Sequence, residues 1–355
     1  MPKLDDGKVF KEQDPQGMGE LIYQFPEQCE KAFDIGMKAE LPPLKQKPAQ
    51  VVLFGMGGSA IGGDLVRSLL ESEMEIPFLV LRDYTPPAFV GPQTLVLASS
   101  YSGNTEETLS AYDIAKKKGA QIIAITSGGE LAKKAAADGF PLVTIPGGIM
   151  PRAALGYSFV PILLILQRLG LCKDKTAEFK EMVGLIKKVR DKLSPGAPAA
   201  DNQSKQLAEH FYGKIPCIYG SQPWKAVVAT RWKGQMNENA KNTAAWNAFP
   251  ELNHNETVGW EAPPAVTKQI AVAILKDRED SPKMQKRMEA TATIMRGHAG
   301  GIDEVWSSGD SVLARMFSLI HIGDWASYYL AILNGIDPTP VKSIDYLKGQ
   351  LATVK

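Results

Sequence analysis

Cysteine is scarce in this 355-residue sequence: Cys29, Cys172 and Cys217 stand far apart, in no CxxC or Cys/His spacing. That argues against a disulfide framework and a zinc cluster, and points to buried free thiols in a reducing compartment. Excess charge is also missing, since 40 Lys and Arg face 39 Asp and Glu for a formal charge of +1. With no global field to draw in nucleic acid or an anionic membrane, an anionic ligand has to be held by local groups. No run of about 18 apolar residues occurs, as a membrane span needs. The opening MPKLDDGKVFKEQD has no apolar signal core. These absences lead to the expectation of a cytoplasmic protein with neither nucleic acid nor membrane as partner.

What is present reads as an ordinary globular chain, with 44% hydrophobic and 22% charged residues, close to soluble averages. Its length exceeds what one core usually supports, so two domains are expected. Residues 1 to about 45 predict a helical arm, because Leu21, Ile22, Phe25, Cys29, Phe33 and Met37 recur at helical spacing. Val51 to Phe54, the turn GMGGSAIGGD and the amphipathic LVRSLLES form a first strand–turn–helix unit. Strands at 78–81, 94–98, 121–126 and 141–145 follow, with helices at 106–118, 131–138 and 159–169. This alternation implies a parallel sheet covered on both faces, a doubly wound α/β layer. Ser194 to Ser204, SPGAPAADNQS, has linker composition. Beyond it a second α/β rhythm opens with strand 215–219 and a helix from Trp224. Strand 269–275 and helices 282–295 and 313–333 continue it. The domains are therefore expected at 1–195 and 196–355, each opening with strand, Gly/Ser turn and helix.

The glycines of GMGGSAIGG, Gly55, Gly57 and Gly58, are spaced much like a dinucleotide fingerprint. Asp83 lies further on than the acidic residue such a site uses, yet a dehydrogenase stays open as a reading. The sharper motif is Ser100 to Thr108, SYSGNTEET, directly after an apolar strand and directly before a helix. Hydroxyls at Ser100, Ser102 and Thr105, with free amides and the helix dipole, concentrate donors for a phosphate monoester. Ser59 is positioned to close the cradle from the neighbouring strand end. The competing reading has Asn104 or Thr105 merely capping the helix, completed by Glu107. One cap residue would suffice for that, so the surplus of hydroxyls favours binding. The loop holds no Lys or Arg, against a Walker-type nucleotide site.

Together GMGGSAIGGD, SYSGNTEET, MPRAALGYS, MNENAKN and ELNHNE resemble the bifunctional phosphoglucose/phosphomannose isomerases of archaea and bacteria. These are members of the sugar isomerase (SIS) group in the phosphoglucose isomerase superfamily. The resemblance runs from about residue 50 to about residue 345. It implies two SIS-type subdomains, a homodimer, and interconversion of glucose 6-phosphate with fructose 6-phosphate, mannose 6-phosphate also being accepted, without metal or cofactor. Gly58, Ser59, Ser100, Tyr101, Ser102 and Thr105 would form the phosphate cradle, and Arg152 would flank the reacting carbons. Glu238 would move a proton between C1 and C2 through a cis-enediol, while His254 and Lys342 would assist ring opening.

Chemistry gives these residue types the same roles: carbonyl migration needs one carboxylate to carry a proton, a cation for the enediolate, and an acid/base for the ring oxygen. Taken singly, Glu238 reads as a solvated helix-face glutamate and Arg152 as a helix-start arginine. His254 stands between Asn253 and Asn255 in a polar loop, where a core histidine is not expected, and an imidazole suits proton transfer to a hydroxyl. Asn255, Glu256 and Glu251 are close enough in sequence to orient it. His210, His298 and His321 fall in expected helices or their ends, with structural roles. The paired-histidine spacing of HExxH is missing, so no metal is expected. Two SIS alternatives stay open beside the dehydrogenase: a sugar-phosphate sensor and an aminosugar-phosphate enzyme. The first 45 residues hold no basic helix-turn-helix, as a DNA-binding regulator would.

Overall fold

The computed structural model describes residues 4–351 and 353. The chain divides into two compact units, one of Gln24–Leu185 with Gly309–Ala314, the other of Met1–Tyr23, Ile186–Ser308 and Arg315–Lys355. Each is built on a wholly parallel sheet between helices.

In the first unit, strands β1 (Gln50–Phe54), β2 (Phe78–Leu81), β3 (Thr94–Ser99), β4 (Gln121–Thr126) and β5 (Leu142–Thr144) lie in the order β2-β1-β3-β4-β5. Val51 sits opposite Phe78 on one side and Leu95 on the other, and Leu97 opposite Ile123. Every residue of β3 and β4 is buried, which is why both read as continuous rather than alternating apolar runs. Val52, Val96, Ala98, Tyr112, Ile122 and Leu131 share one core beneath the helices. The helix Leu155–Arg168, buried from Leu155 to Leu166, packs against Phe25–Lys38. The helical pattern of the arm is realised as Gly7–Gln13, Met18–Tyr23 and Phe25–Lys38.

The second unit has strands β6 (Ile215–Ser221), β7 (Ala245–Phe249), β8 (Ile270–Lys276) and β9 (Gly301–Trp306) in the order β7-β6-β8-β9. β7 and β9 are edge strands that the sequence pattern does not announce, and helices Thr176–Leu193 and Gln203–Phe211 are likewise additions to it. The helix Val312–Leu333 is apolar over most of its length and buried, with Arg315, His321, Asp324 and Ser327 among its buried polar residues. Among the described residues no helix is long and apolar enough to cross a membrane.

Ser194 to Ser204 is not an open linker. Asn202, fully buried, caps the next helix by accepting from the Ser204 and Lys205 amides at 3.0 and 3.1 Å. The buried Lys205 ammonium donates to Asp5 at 3.1 Å and to the Pro195 and Ala197 carbonyls at 3.0 and 2.7 Å. Composition alone, rich in Pro, Gly and Ala, conceals this tether.

Candidate active site

The order β2-β1-β3 means that the chain leaves β1 on one side and returns to β3 on the other. The carboxyl ends of β1 and β3 therefore flank a topological switch point, where ligands of open α/β sheets bind. β1 runs into the helix Gly57–Leu70, with Ser59 buried in its first turn. β3 runs into Ser100–Thr105 and the helix Glu106–Lys117. Two helix N-termini, each favourable to an anion, meet there.

Hydrogen bonds hold the hydroxyls in one nest. Ser100 Oγ accepts from the Gly103 amide at 3.1 Å and lies 2.8 Å from Thr105 Oγ1. Ser102 Oγ accepts from the Asn104 amide at 3.2 Å, and Ser59 Oγ from the Tyr101 amide at 3.1 Å, which joins the two loops. Gly103 has φ +72°, and a Cβ there would come within 1.8 Å of the Gly128 carbonyl oxygen, so the turn requires glycine. The capping alternative does not hold: Thr105 makes no side-chain cap bond, and Asn104 Oδ1 instead accepts from the Glu130 amide at 3.0 Å. Tyr101 ties the nest together, its carbonyl accepting from Ser127 Oγ at 2.7 Å and its phenol oxygen from the Ile149 amide at 3.3 Å.

Gly58 brings the next element close. A Cβ there would meet the Pro151 carbonyl oxygen at 2.7 Å, so the single turn Pro151–Ala153 lies directly on the helix start. Arg152 in that turn is buried in the same unit as the nest. Gln28 fixes the turn, donating to the Ala153 carbonyl and accepting from the Gly156 amide, both at 2.8 Å. Nothing in the sequence around Gln28 signals this support.

In the second unit Glu238 ends the helix Trp224–Glu238 and Lys342 begins the helix Lys342–Leu351. Both line a pocket of about 510 Å³, with Asn237, Lys241, Asp337 and Val341. A polar stripe at i, i+4, i+8 sets the rotation of the Glu238 helix. Arg231 donates to Asp324 at 2.7 Å, Gln235 to Asp324 at 2.9 Å, and Asn239 to Ser327 at 3.0 Å. Burial holds the Asp324 carboxyl above the usual carboxylate range, while the Arg231 charge and the two hydrogen bonds oppose it.

His254 lies apart from the pocket lining. It closes the turn Glu251–His254 after β7, exposed, with no side-chain hydrogen bond to any described residue. The flanking residues do not orient it, contrary to expectation. Asn255 donates to Glu251 at 3.1 Å, Asn253 donates to Thr291 at 2.8 Å, and Glu256 accepts from Tyr219 and Asn247.

The switch point of the second sheet, at the ends of β6 and β8, is filled from within. Asp280 accepts from Lys225 Nζ at 2.7 Å, Ser221 Oγ at 3.2 Å and the Asp277 amide at 3.0 Å. Asp277 pairs with Arg315 at 2.9 Å. A protein carboxylate thus takes the hydroxyl, amide and cation donors that an external anion would need. At the first sheet's switch point, by contrast, the Ser59, Ser100, Ser102 and Thr105 hydroxyls bond, among the described residues, to amides and one another, not to a carboxylate.

Residues 44–138 match the SIS domain, and residues 200–351 match the bacterial phospho-glucose isomerase C-terminal SIS domain. The chain is 47% identical over 338 residues to a bifunctional phosphoglucose/phosphomannose isomerase of Caldicellulosiruptor bescii, covering 95% of this chain and 100% of that protein. It is 37% identical to an Aquifex aeolicus protein of the same description, covering 85% and 90% of the two. In fold it is similar to the hypothetical protein TT0462 of Thermus thermophilus, with TM-score 0.76 at 16% identity over 98% of this chain and 92% of that one. With two parallel α/β units, a hydroxyl nest at the first switch point and identity of this extent along its length, the chain belongs to the bifunctional phosphoglucose/phosphomannose isomerase family.

Proposed function

We propose that the protein interconverts glucose 6-phosphate and fructose 6-phosphate, accepts mannose 6-phosphate, and works as a homodimer. The observation that carries this reading is that Glu238 and Lys342, distant in sequence, line one pocket. The 6-phosphate is held by Ser59, Ser100, Ser102, Thr105 and neighbouring amides, a handle whose binding energy orients carbons several bonds away. Lys342 and His254 assist opening of the ring by proton transfer at the ring oxygen. Glu238 then removes the C2 proton of the aldose and returns it to C1 while the hydroxyl proton moves from O2 to O1. Arg152 stabilises the enediolate between the two transfers. An exposed His254 outside its own unit's Glu238 pocket supports service to the partner subunit's substrate.

The test is purified protein with fructose 6-phosphate, in chelator and without nucleotide. Glucose 6-phosphate and mannose 6-phosphate are expected to accumulate together. Formation of neither sinks the assignment, and turnover only on adding a nicotinamide favours the dehydrogenase.

A further inference from the structure

The helix that carries Glu238 ends in an unusual way. The Asn242 amide reaches back six positions to the Met236 carbonyl at 3.1 Å, one position wider than the bond of a Schellman end. A residue that takes the left-handed conformation just past a helix end is ordinarily glycine. Here it is Lys241, with φ +50°, the one non-glycine residue at positive φ among those described. A side chain retained in a conformation that disfavours it points to a use for that side chain.

Lys241 Nζ donates toward four backbone carbonyls: Glu238 at 2.9 Å, Asn239 at 3.4 Å, Asp337 at 3.0 Å and Pro338 at 2.8 Å. Two belong to the end of the Glu238 helix and two to the turn that leads to Lys342. An ammonium has three protons, so four acceptors saturate it and leave none for a substrate oxygen. Its effect is to tie two chain segments together beside the pocket that both line. Asp337 is steadied from the other side, its Oδ2 accepting from Gln16 at 3.2 Å.

We propose that Lys241 is a positioning residue for the isomerisation, holding Glu238 and Lys342 at the separation at which both meet one substrate. This rests on the reading of Glu238 as the base. A misplacement of about 1 Å at a reacting group costs roughly a hundredfold in rate, so loosening the tie shows in turnover rather than in phosphate binding.

Three variants test it: Lys241→Gly, which suits the backbone and removes the tie, Lys241→Met, and Lys241→Arg, which keeps the cation. With fructose 6-phosphate, the Gly and Met variants are expected to lose kcat about thirtyfold to a hundredfold with KM within about threefold. Lys241→Gly should melt no lower than the parent, because it relieves the left-handed residue. Lys241→Arg should restore kcat to within about tenfold. Glu238→Gln, assayed alongside, separates the two claims. An inactive Glu238→Gln with a fully active Lys241→Gly overturns the positioning role alone, as does a loss confined to KM. An active Glu238→Gln overturns the base assignment and this inference with it.

Discussion

Removing one hydroxyl at a time from the nest separates its two tasks, shaping the loop and gripping an anion. Ser100 is buried and accepts from the Gly103 amide at 3.1 Å, whereas Ser102 is exposed and accepts only from Asn104. Ser100→Ala removes the Oγ contacts with the Gly103 amide and Thr105 Oγ1, while that amide keeps the Ser100 carbonyl at 3.1 Å, so the loss is about 0.5–1.5 kcal/mol. For a unit of this size that lowers Tm by roughly 1–6 °C. Ser102→Ala strands nothing buried, and its Tm is expected within about 1 °C of the parent. Each variant also loses one hydrogen bond to a dianion, worth about 1.5–3 kcal/mol, or roughly tenfold to a hundredfold in affinity. Calorimetric titration with the open-chain inhibitor 5-phosphoarabinonate reads that loss without mixing in catalytic steps, and a thermal melt reads the other. Parent-like affinity in both variants would place the phosphate outside this nest and refute the reasoning. An equal Tm loss in both would refute the division of labour.

Two further perturbations follow from the same geometry. Gly103→Ala forces a side chain at φ +72° against the Gly128 carbonyl, so the loop must deform. KM for fructose 6-phosphate should rise at least about tenfold, with a stability loss on the order of 1–3 kcal/mol; an unchanged KM means that the turn is not part of the phosphate site. Asp324→Ala leaves the Arg231 guanidinium buried without that carboxylate, a loss of about 3–5 kcal/mol readable by urea unfolding. A loss below about 1 kcal/mol would show that the stripe does not hold the Glu238 helix.

The first sheet was legible because β1, β3 and β4 are central strands, buried on both faces, and so write unbroken apolar runs into the chain. The edge strands hid. β7 keeps Ala245 and Trp246 exposed, and β9 carries Asp303 and Glu304, so neither shows a period that separates it from a loop. The hydroxyls of Ser100 to Thr105 stood out since their spacing is local. Gln28 on the Arg152 turn, Lys241 on four carbonyls, and the Asp280 and Asp277 pairs at the second switch point depend on tertiary partners far along the chain. No local pattern announces those. Glu251, Asn255 and Glu256 misled for the converse reason. Proximity in sequence to His254 suggested support, while Asn255 donates to Glu251 and Glu256 accepts from Tyr219.

The central claim is that one carboxylate, Glu238, carries hydrogen between adjacent sugar carbons through solvent-exchangeable protonation. Its most direct measurement is deuterium at C2 of glucose 6-phosphate formed from fructose 6-phosphate in heavy water, followed by NMR for the parent and for Glu238→Gln. C2 deuterium is expected in the parent product and, in the variant, no detectable label with inhibitor affinity intact. Label entering at the parent rate in Glu238→Gln, or product formed by the parent with no deuterium at all, would contradict it.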